Sequence, residues 1–210
     1  LSQENKGIMY AAENGADVIN CSWGGYTIYS KYTEDIIKYA NSLGAVVIAG
    51  AGNGDDNNEY RPFYPASYKN VLSVAGTDTN DNKWEHSDYG VHIDLAAPAQ
   101  SIYHPLANDK YGSSSGTSVA APLVAGVTGL VKVHNPGWTG VQAGEQVRVT
   151  ADSISSDDGK LGRGRLNDYR ALTESSPSIH FVNYDYIDKN NNRFIEPGED
   201  IDVYITLKNY

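Results

Sequence analysis

A single cysteine among 210 residues has nothing to pair with inside the chain, so no disulfide framework holds this fold together. Cys21 sits in an apolar run and reads as a small core residue. Lysine and arginine are scarce, 16 against 26 aspartates and glutamates, for a formal net charge of -10. That deficit argues against nucleic acid as a partner and against an anionic membrane surface. No run approaches the roughly 20 apolar residues that a membrane span requires. The first residues, Leu1-Ser-Gln-Glu-Asn-Lys-Gly7, lack the basic-then-apolar pattern of a signal peptide. They read as mid-protein sequence, and the chain as a piece of a longer one. This length allows one sizeable core, or one domain and part of another.

What the chain does have is an alternation of short apolar runs with amphipathic stretches. Ile8 to Asn14 reads as the end of a helix stopped by Gly15, and Asp17 to Ser22 as a buried strand closed by Gly24-Gly25. Thr33 is placed to cap a helix with Glu34 and Asp35 in its first turn, Ile36, Ile37, Ala40 and Leu43 on one face, and Gly44 as its stop. Ala45-Val-Val-Ile-Ala49 is a second buried strand. The alternation predicts an α/β fold, a mostly parallel sheet flanked by helices, with ligands bound beyond the carboxyl ends of its strands. Two glycine-rich loops sit at such ends.

The first loop, Ala49-Gly-Ala-Gly-Asn-Gly54, is half of a dinucleotide fingerprint. The other half is absent: Asp55 occupies the third glycine position, and with Asp56 and Glu59 it would meet a phosphate with negative charge. The second loop runs from Gly112 straight into an apolar helix, leaving the first-turn amides unpaired at the positive end of the helix dipole. Pro122 is tolerated only near a helix start, which puts that start at Thr117 or Ser118. Val124, Val127, Leu130 and Val131 make the helix body a buried rod. Ser118, at the junction, is placed either to cap the helix or to act as a nucleophile whose developing charge the amides stabilise. Ser114 fits a Gly-x-Ser-x-Gly elbow, but that elbow needs a preceding strand, and Tyr103 to Lys110 is polar and broken by Pro105. Farther on, Thr139-Gly-Val-Gln142 has capping-box spacing.

Gly116-Thr-Ser118-x-Ala-x-Pro122 with Val124-Ala-Gly126 resembles the serine-nucleophile motif of the subtilisin-like serine proteases, the subtilases. Tyr64 to Gly76, Ile93 to Pro98 and Gly162 to Leu172 resemble the same family, so the likeness runs from about Gly7 to Thr173, with Ala99 where relatives usually carry Gly. The resemblance implies Ser118 as nucleophile and Asn53 as the carboxamide that completes the oxyanion hole. It implies a peptide-binding edge at Ser22, Trp23, Gly24 and Gly25, which pairs main chain to main chain with an extended substrate. It places the first specificity pocket between this edge and the loop holding Ala51 and Gly52, with Phe63 at a shallow floor suited to small or medium side chains. Trp23 either flanks that pocket or packs in the core. Asp94, by itself an ordinary surface acid, matches a ligand that some relatives use with carbonyls, here of Ala66, Tyr68 and Val71, to hold a weak cation.

A subtilisin-like triad runs Asp, His, Ser, and the base normally lies in a His-Gly-Thr motif that this chain does not contain. His86, His92 and His104 precede Ser118 without a matching motif and read as surface or packing residues. The expectation is therefore a serine endopeptidase whose Asp and His lie upstream of this fragment, which alone would be inactive. The resemblance implies no cofactor for catalysis, a protein or peptide substrate, a propeptide or peptide inhibitor as partner, and a secreted or cell-surface location. The competing expectation is a catalytically silent peptide-binding or adhesion protein on the same scaffold.

After Ser175-Ser-Pro177 the pattern changes to alternating strands, Ser178 to Tyr184 and Asp202 to Lys208. This divides the chain into a partial peptidase domain, 1–175, and the beginning of a C-terminal β-sandwich, 176–210. Between the strands Asp188, Asn190, Asn192, Glu196 and Glu199 place oxygen groups at spacings of an EF-hand loop, although Arg193 fills its glycine slot. The segment reads as either a calcium-pinned turn or a solvated Asn-rich hairpin.

Overall fold

The computed structural model describes residues 2–154, 159–188, 197–198 and 200–209. They form two compact units, Leu1–Ser175 and Ser176–Tyr210. In the first, α1 (Gln3–Glu13), β1 (Val18–Cys21), α2 (Lys31–Ser42), β2 (Val46–Gly50), β3 (Val71–Thr77) and β4 (Leu95–Pro98) build a four-stranded parallel sheet in chain order. A hairpin of β5 (Ile102–Leu106) and β6 (Lys110–Ser114) leads into α3 (Thr117–His134), followed by α4 (Gly140–Val149) and α5 (Asp168–Thr173). The second unit is an antiparallel pair, β7 (Ile179–Asp188) and β8 (Ile201–Asn209). Asp188 ends β7, and the rest of the expected calcium loop, Asn190, Asn192, Glu196 and Glu199, lies outside the described residues.

The inner strands β2 and β3 are buried along their whole length, whereas β1, at the sheet edge, buries Ile19 and Cys21 and leaves Asn20 exposed. Successive residues of a strand point to opposite sides, so Val46 and Ile48 join one cluster with Leu72, Val74 and the α3 residues Ala120, Val124 and Val131. Val47 and Ala49 join the other, with Cys21 and the helix residues Ile8, Ile36 and Ile37. Burial pushes the Cys21 thiol up to about 12. The α/β sheet with helices on its two faces is thus the architecture that the alternation predicted.

Three local expectations are corrected. The cap of α2 is Ser30, whose hydroxyl accepts the Thr33 amide at 3.3 Å, and Thr33 lies inside the helix, accepting from the Asn5 side chain at 3.1 Å. Helix α3 is not buried all round. Ala120, Val124, Thr128 and Val131 face the sheet, but Leu130 is 56% exposed because it lies off that stripe. The length and composition of α3 would also fit a membrane span, but its buried stripe marks it as the core helix of this unit. Finally, Tyr103 to Lys110 is not strandless: β5 and β6 pair over Ile102–Leu106 and Lys110–Ser114, with Asn108 and Asp109 at positive φ in the turn. A two-stranded hairpin has two edges, and Pro105 is tolerated on an edge strand.

Candidate active site

Parallel strands all present their carboxyl ends on one side, so the loops after β1 and β2 meet the amino end of α3 there. The N-cap of α3 is Gly116, at φ 151°, and no side chain caps it, so Ser118 stands two residues into the helix with its hydroxyl uncommitted to capping. Pro122 acts on the same spot. It has no N–H to give to the carbonyl four residues back, which is that of Ser118. The freed carbonyl accepts the Ser22 hydroxyl at 2.7 Å, which ties the segment after β1 to the first turn of α3.

Thr117 fixes the other loop. Its backbone amide donates to Asn53 Oδ1 at 2.8 Å and its buried hydroxyl lies 3.0 Å from the same oxygen, while the Gly52 amide donates to Thr117 Oγ1 at 3.2 Å. With Oδ1 accepting, the carboxamide is oriented and its Nδ2 group is the end left to donate. A methyl placed on Gly116 would lie 3.0 Å from Ser118 Oγ and 3.7 Å from Asn53 Nδ2. The hydroxyl and the amide expected from the sequence therefore border a single small space.

The segment Ser22–Gly25 leaves β1 and crosses beside this space. Gly25 exchanges two hydrogen bonds with Tyr64, each 2.9 Å. A side chain on Gly24 would collide with the Phe63 ring, and one on Gly52 would come within 3.0 Å of the same ring. Phe63 thus lies between the two glycines that were expected to border the pocket. Trp23 is 41% exposed, which removes the reading of it as a core residue. The Ala51 side chain is buried with Ala75, Ile93, Ala96 and Leu161, because Ala51 continues the β2 ladder through its bond to Val74, so only its backbone is left to border the space.

Asp94 is not a surface acid. Its Oδ2 accepts the Ser73 amide at 2.8 Å, and burial raises its pKa to about 7, with the Arg148 charge opposing and Glu145 adding to the rise. Among the described residues no group of three or more His, Cys, Asp or Glu could hold a metal ion.

Among the described residues no histidine hydrogen-bonds to Ser118. His86 packs edge-on against Trp84, burial lowers the pKa of His92, and His104 Nε2 bonds to Ser114 Oγ. Ser114 is the last residue of β6, with Ser115 and Gly116 between it and α3, and its hydroxyl is engaged by His104 on the hairpin rather than placed at the helix start.

Two residues at the site were given no role by the sequence reading. Thr117 lies inside the Gly116-Thr-Ser118 motif, but its contacts with Asn53 and Gly52 went unread. The other is Asp88, a fully buried acid that accepts the amides of Gly54 and Asp56, and no motif marks it.

Comparison with known proteins gives a consistent result. The model of the subtilase family matches residues 1–174. The chain is 42% identical to thermitase of Thermoactinomyces vulgaris over 166 residues, 79% of this chain and 57% of thermitase. It is 36% identical to subtilisin Savinase of Lederbergia lenta, over 80% of this chain and 60% of that protein. Among solved structures, a protease from Pseudoalteromonas arctica PAMC 21717 aligns with a TM-score of 0.71 at 32% identity, covering 80% of this chain and 57% of that one. The epidermin leader peptide processing serine protease from Staphylococcus aureus aligns with a TM-score of 0.72 at 26% identity, over 80% and 53% of the two chains. The chain thus spans a little over half of these relatives.

Proposed function

Because the chain belongs to the subtilase family, we propose that it supplies the nucleophile and oxyanion side of a serine endopeptidase site. In this reading Ser118 Oγ attacks the scissile carbonyl carbon while a histidine, oriented by an aspartate, takes the hydroxyl proton; both partners lie in sequence upstream of Leu1. The negative oxygen of the tetrahedral intermediate is held by Asn53 Nδ2 and the Ser118 amide. The histidine returns the proton to the leaving amine, the acyl-enzyme forms on Ser118, and water hydrolyses it by the same steps in reverse. No cofactor takes part.

The observation that supports this reading is that Thr117 occupies Asn53 Oδ1, which leaves Nδ2 as the end free to donate, and that the carboxamide and Ser118 Oγ border the same space beside Gly116. The substrate is a protein or peptide in extended form, its main chain pairing with Ser22–Gly25. Phe63 limits the first specificity pocket to small or medium side chains. A propeptide or peptide inhibitor would occupy the same edge. Residues 1–175 are then the carboxyl-terminal part of a peptidase domain and 176–210 the beginning of a β-sandwich. The Asp188–Glu199 loop is the place for a structural calcium, and a calcium titration that leaves melting unchanged would remove it. The acidic chain and its relatives' roles suit work outside the cell.

The test is to treat the full-length protein, upstream residues included, with a fluorophosphonate and locate the adduct by mass spectrometry. Labelling of Ser118, abolished by Ser118→Ala, is the expected result. A full-length protein that binds peptide in the groove but takes no label would instead be the silent binding protein.

A further inference from the structure

We propose that Asp88 is a positioning residue for the oxyanion donor, holding the loop that carries Asn53 from the side opposite Thr117. The inference rests on the peptidase reading above and adds to it a residue that no motif marks.

The loop from Gly52 to Asp56 has little to hold it in place by side-chain packing: Gly52 and Gly54 have no side chains, and Asn53 and Asp55 are exposed. Such a loop keeps its shape only if its backbone groups find fixed partners. The segment His86–Tyr89 supplies them. Asp88 N–H donates to the Gly52 carbonyl at 3.1 Å, Asp55 N–H to the His86 carbonyl at 3.0 Å, and Tyr89 N–H to the Asp56 carbonyl at 3.0 Å. Between these backbone bonds lies the Asp88 carboxylate, whose Oδ1 accepts Gly54 N–H at 2.8 Å and Asp56 N–H at 3.1 Å. Gly54 follows Asn53 directly, so the carboxamide is anchored on one side through its own Oδ1 and on the other through the next peptide.

The carboxylate is itself held. The Tyr26 hydroxyl donates to it, 2.9 Å from Oδ2 and 3.1 Å from Oδ1, and Tyr26 follows the glycine pair of the groove. Arg61 stacks over the Tyr26 ring at 3.9 Å and pairs with Asp56 at 2.6 Å. The glycines fit this arrangement: a side chain on Gly52 would strike Asp88 Oδ2, and one on Gly54 would strike the Tyr26 hydroxyl. Burying a carboxylate is costly, and desolvation does raise the Asp88 pKa against the pull of its donors. A group buried at that cost, with two amides and a hydroxyl converging on it, acts as an anchor for them rather than as filler.

The experiment uses the full-length protein and a peptide p-nitroanilide. Asp88→Ala is expected to lower kcat by about tenfold or more while KM stays within about threefold, since only the transition state uses the Asn53 donor. Asp88→Asn should recover most of the loss, because its Oδ1 can accept both amides and its Nδ2 can donate to the Tyr26 oxygen. In an Asn53→Ala background, Asp88→Ala should change kcat by less than about twofold, as two residues acting through one donor are not additive. Hydrogen exchange of the Gly52–Asn58 segment, which needs no turnover, should quicken in Asp88→Ala.

Equal losses in both backgrounds, an unaltered kcat, or an Asp88→Asn variant as impaired as Asp88→Ala would each overturn the proposal. Unchanged exchange would overturn it too. A parent protein that neither labels nor turns over would sink the peptidase reading, and the catalytic role proposed for Asp88 with it. Quickened exchange in that case would preserve only the loop contact.

Discussion

Thr117 does more for this site than the nucleophile beside it reveals. Its amide and hydroxyl meet the Asn53 carboxamide oxygen, and its Oγ1 accepts the Gly52 amide, so one buried residue sets the distance between the loop after β2 and the start of α3. Thr117→Val keeps the shape and removes the hydroxyl, leaving the buried Gly52 N–H without its acceptor. The cost should be about 1–3 kcal/mol in stability. If the same hydroxyl helps to aim Asn53, kcat in the full-length protein falls while KM holds. The ceiling is about 10²- to 10³-fold, the magnitude known in this family for loss of the oxyanion carboxamide itself. Urea melts and steady-state kinetics on one preparation read both effects. A variant with normal stability and normal kcat would show that the Thr117 amide alone suffices.

At the scale of elements, the first unit is closed by a bracket around Asp152. Asp152 and Arg165 exchange backbone bonds of 2.7 and 2.8 Å, and the Asp152 carboxylate takes Asn167 Nδ2 at 2.8 Å, Arg170 at 3.1 Å and Arg165 at 3.3 Å. This pins the residues entering α5 against those leaving α4. The Asn167 bond, then those of Arg170 and Arg165, hold the Asp152 carboxyl below the usual range. A depressed folded-state pKa means stability that is fully present above the unfolded value, about 3.9, and is lost as pH falls from there through the lower folded-state value. Melting temperatures of Asp152→Asn and the parent should therefore differ by a constant amount near neutral pH and converge only once the pH has fallen below the depressed folded-state value of Asp152. A gap that stayed constant below that value would show that the bracket works by shape alone.

The same elements show what the sequence could and could not tell. Strands β1 and β2 were legible because buried parallel strands are continuous apolar runs, and α4 because Thr139 and Gln142 form a reciprocal capping box. Ser30 and Thr33 are both competent caps three residues apart, and only the contact between Thr33 and Asn5 of α1 decides between them. The exposed side of α3 went unseen because its apolar residues continue round the helix, and hydropathy does not say which of them meets the sheet. Ser118 and Asn53 stood out because a local motif marks each. Thr117 and Asp88 act across 65 and 34 residues of sequence, and no local pattern encodes such contacts.

For the molecule as a whole, the site belongs to no single segment: the edge after β1, the loop after β2, Phe63 and the head of α3 are far apart in sequence and meet only because the parallel sheet aligns its strand ends. Substrate choice should then be changeable at one of these pieces without disturbing the others. Phe63 is the piece to change, since its ring lies against Gly24 and Gly52 and packs edge-on with Tyr26 at 5.0 Å. Replacing it with glycine empties the space between those glycines. In a peptide-library profile of the full-length protein, the parent should prefer small and medium side chains before the scissile bond. Phe63→Gly should raise the ratio of kcat/KM for large aromatic over small side chains by about tenfold or more, the scale on which a hydrophobic pocket discriminates size. Some stability is lost with the ring contact, so the ratio, and not the absolute rate, is the quantity to compare. If the parent already favours large aromatics, or the ratio does not move, Phe63 is packing against the groove rather than limiting it, and the pocket must be sought elsewhere along Ser22–Gly25.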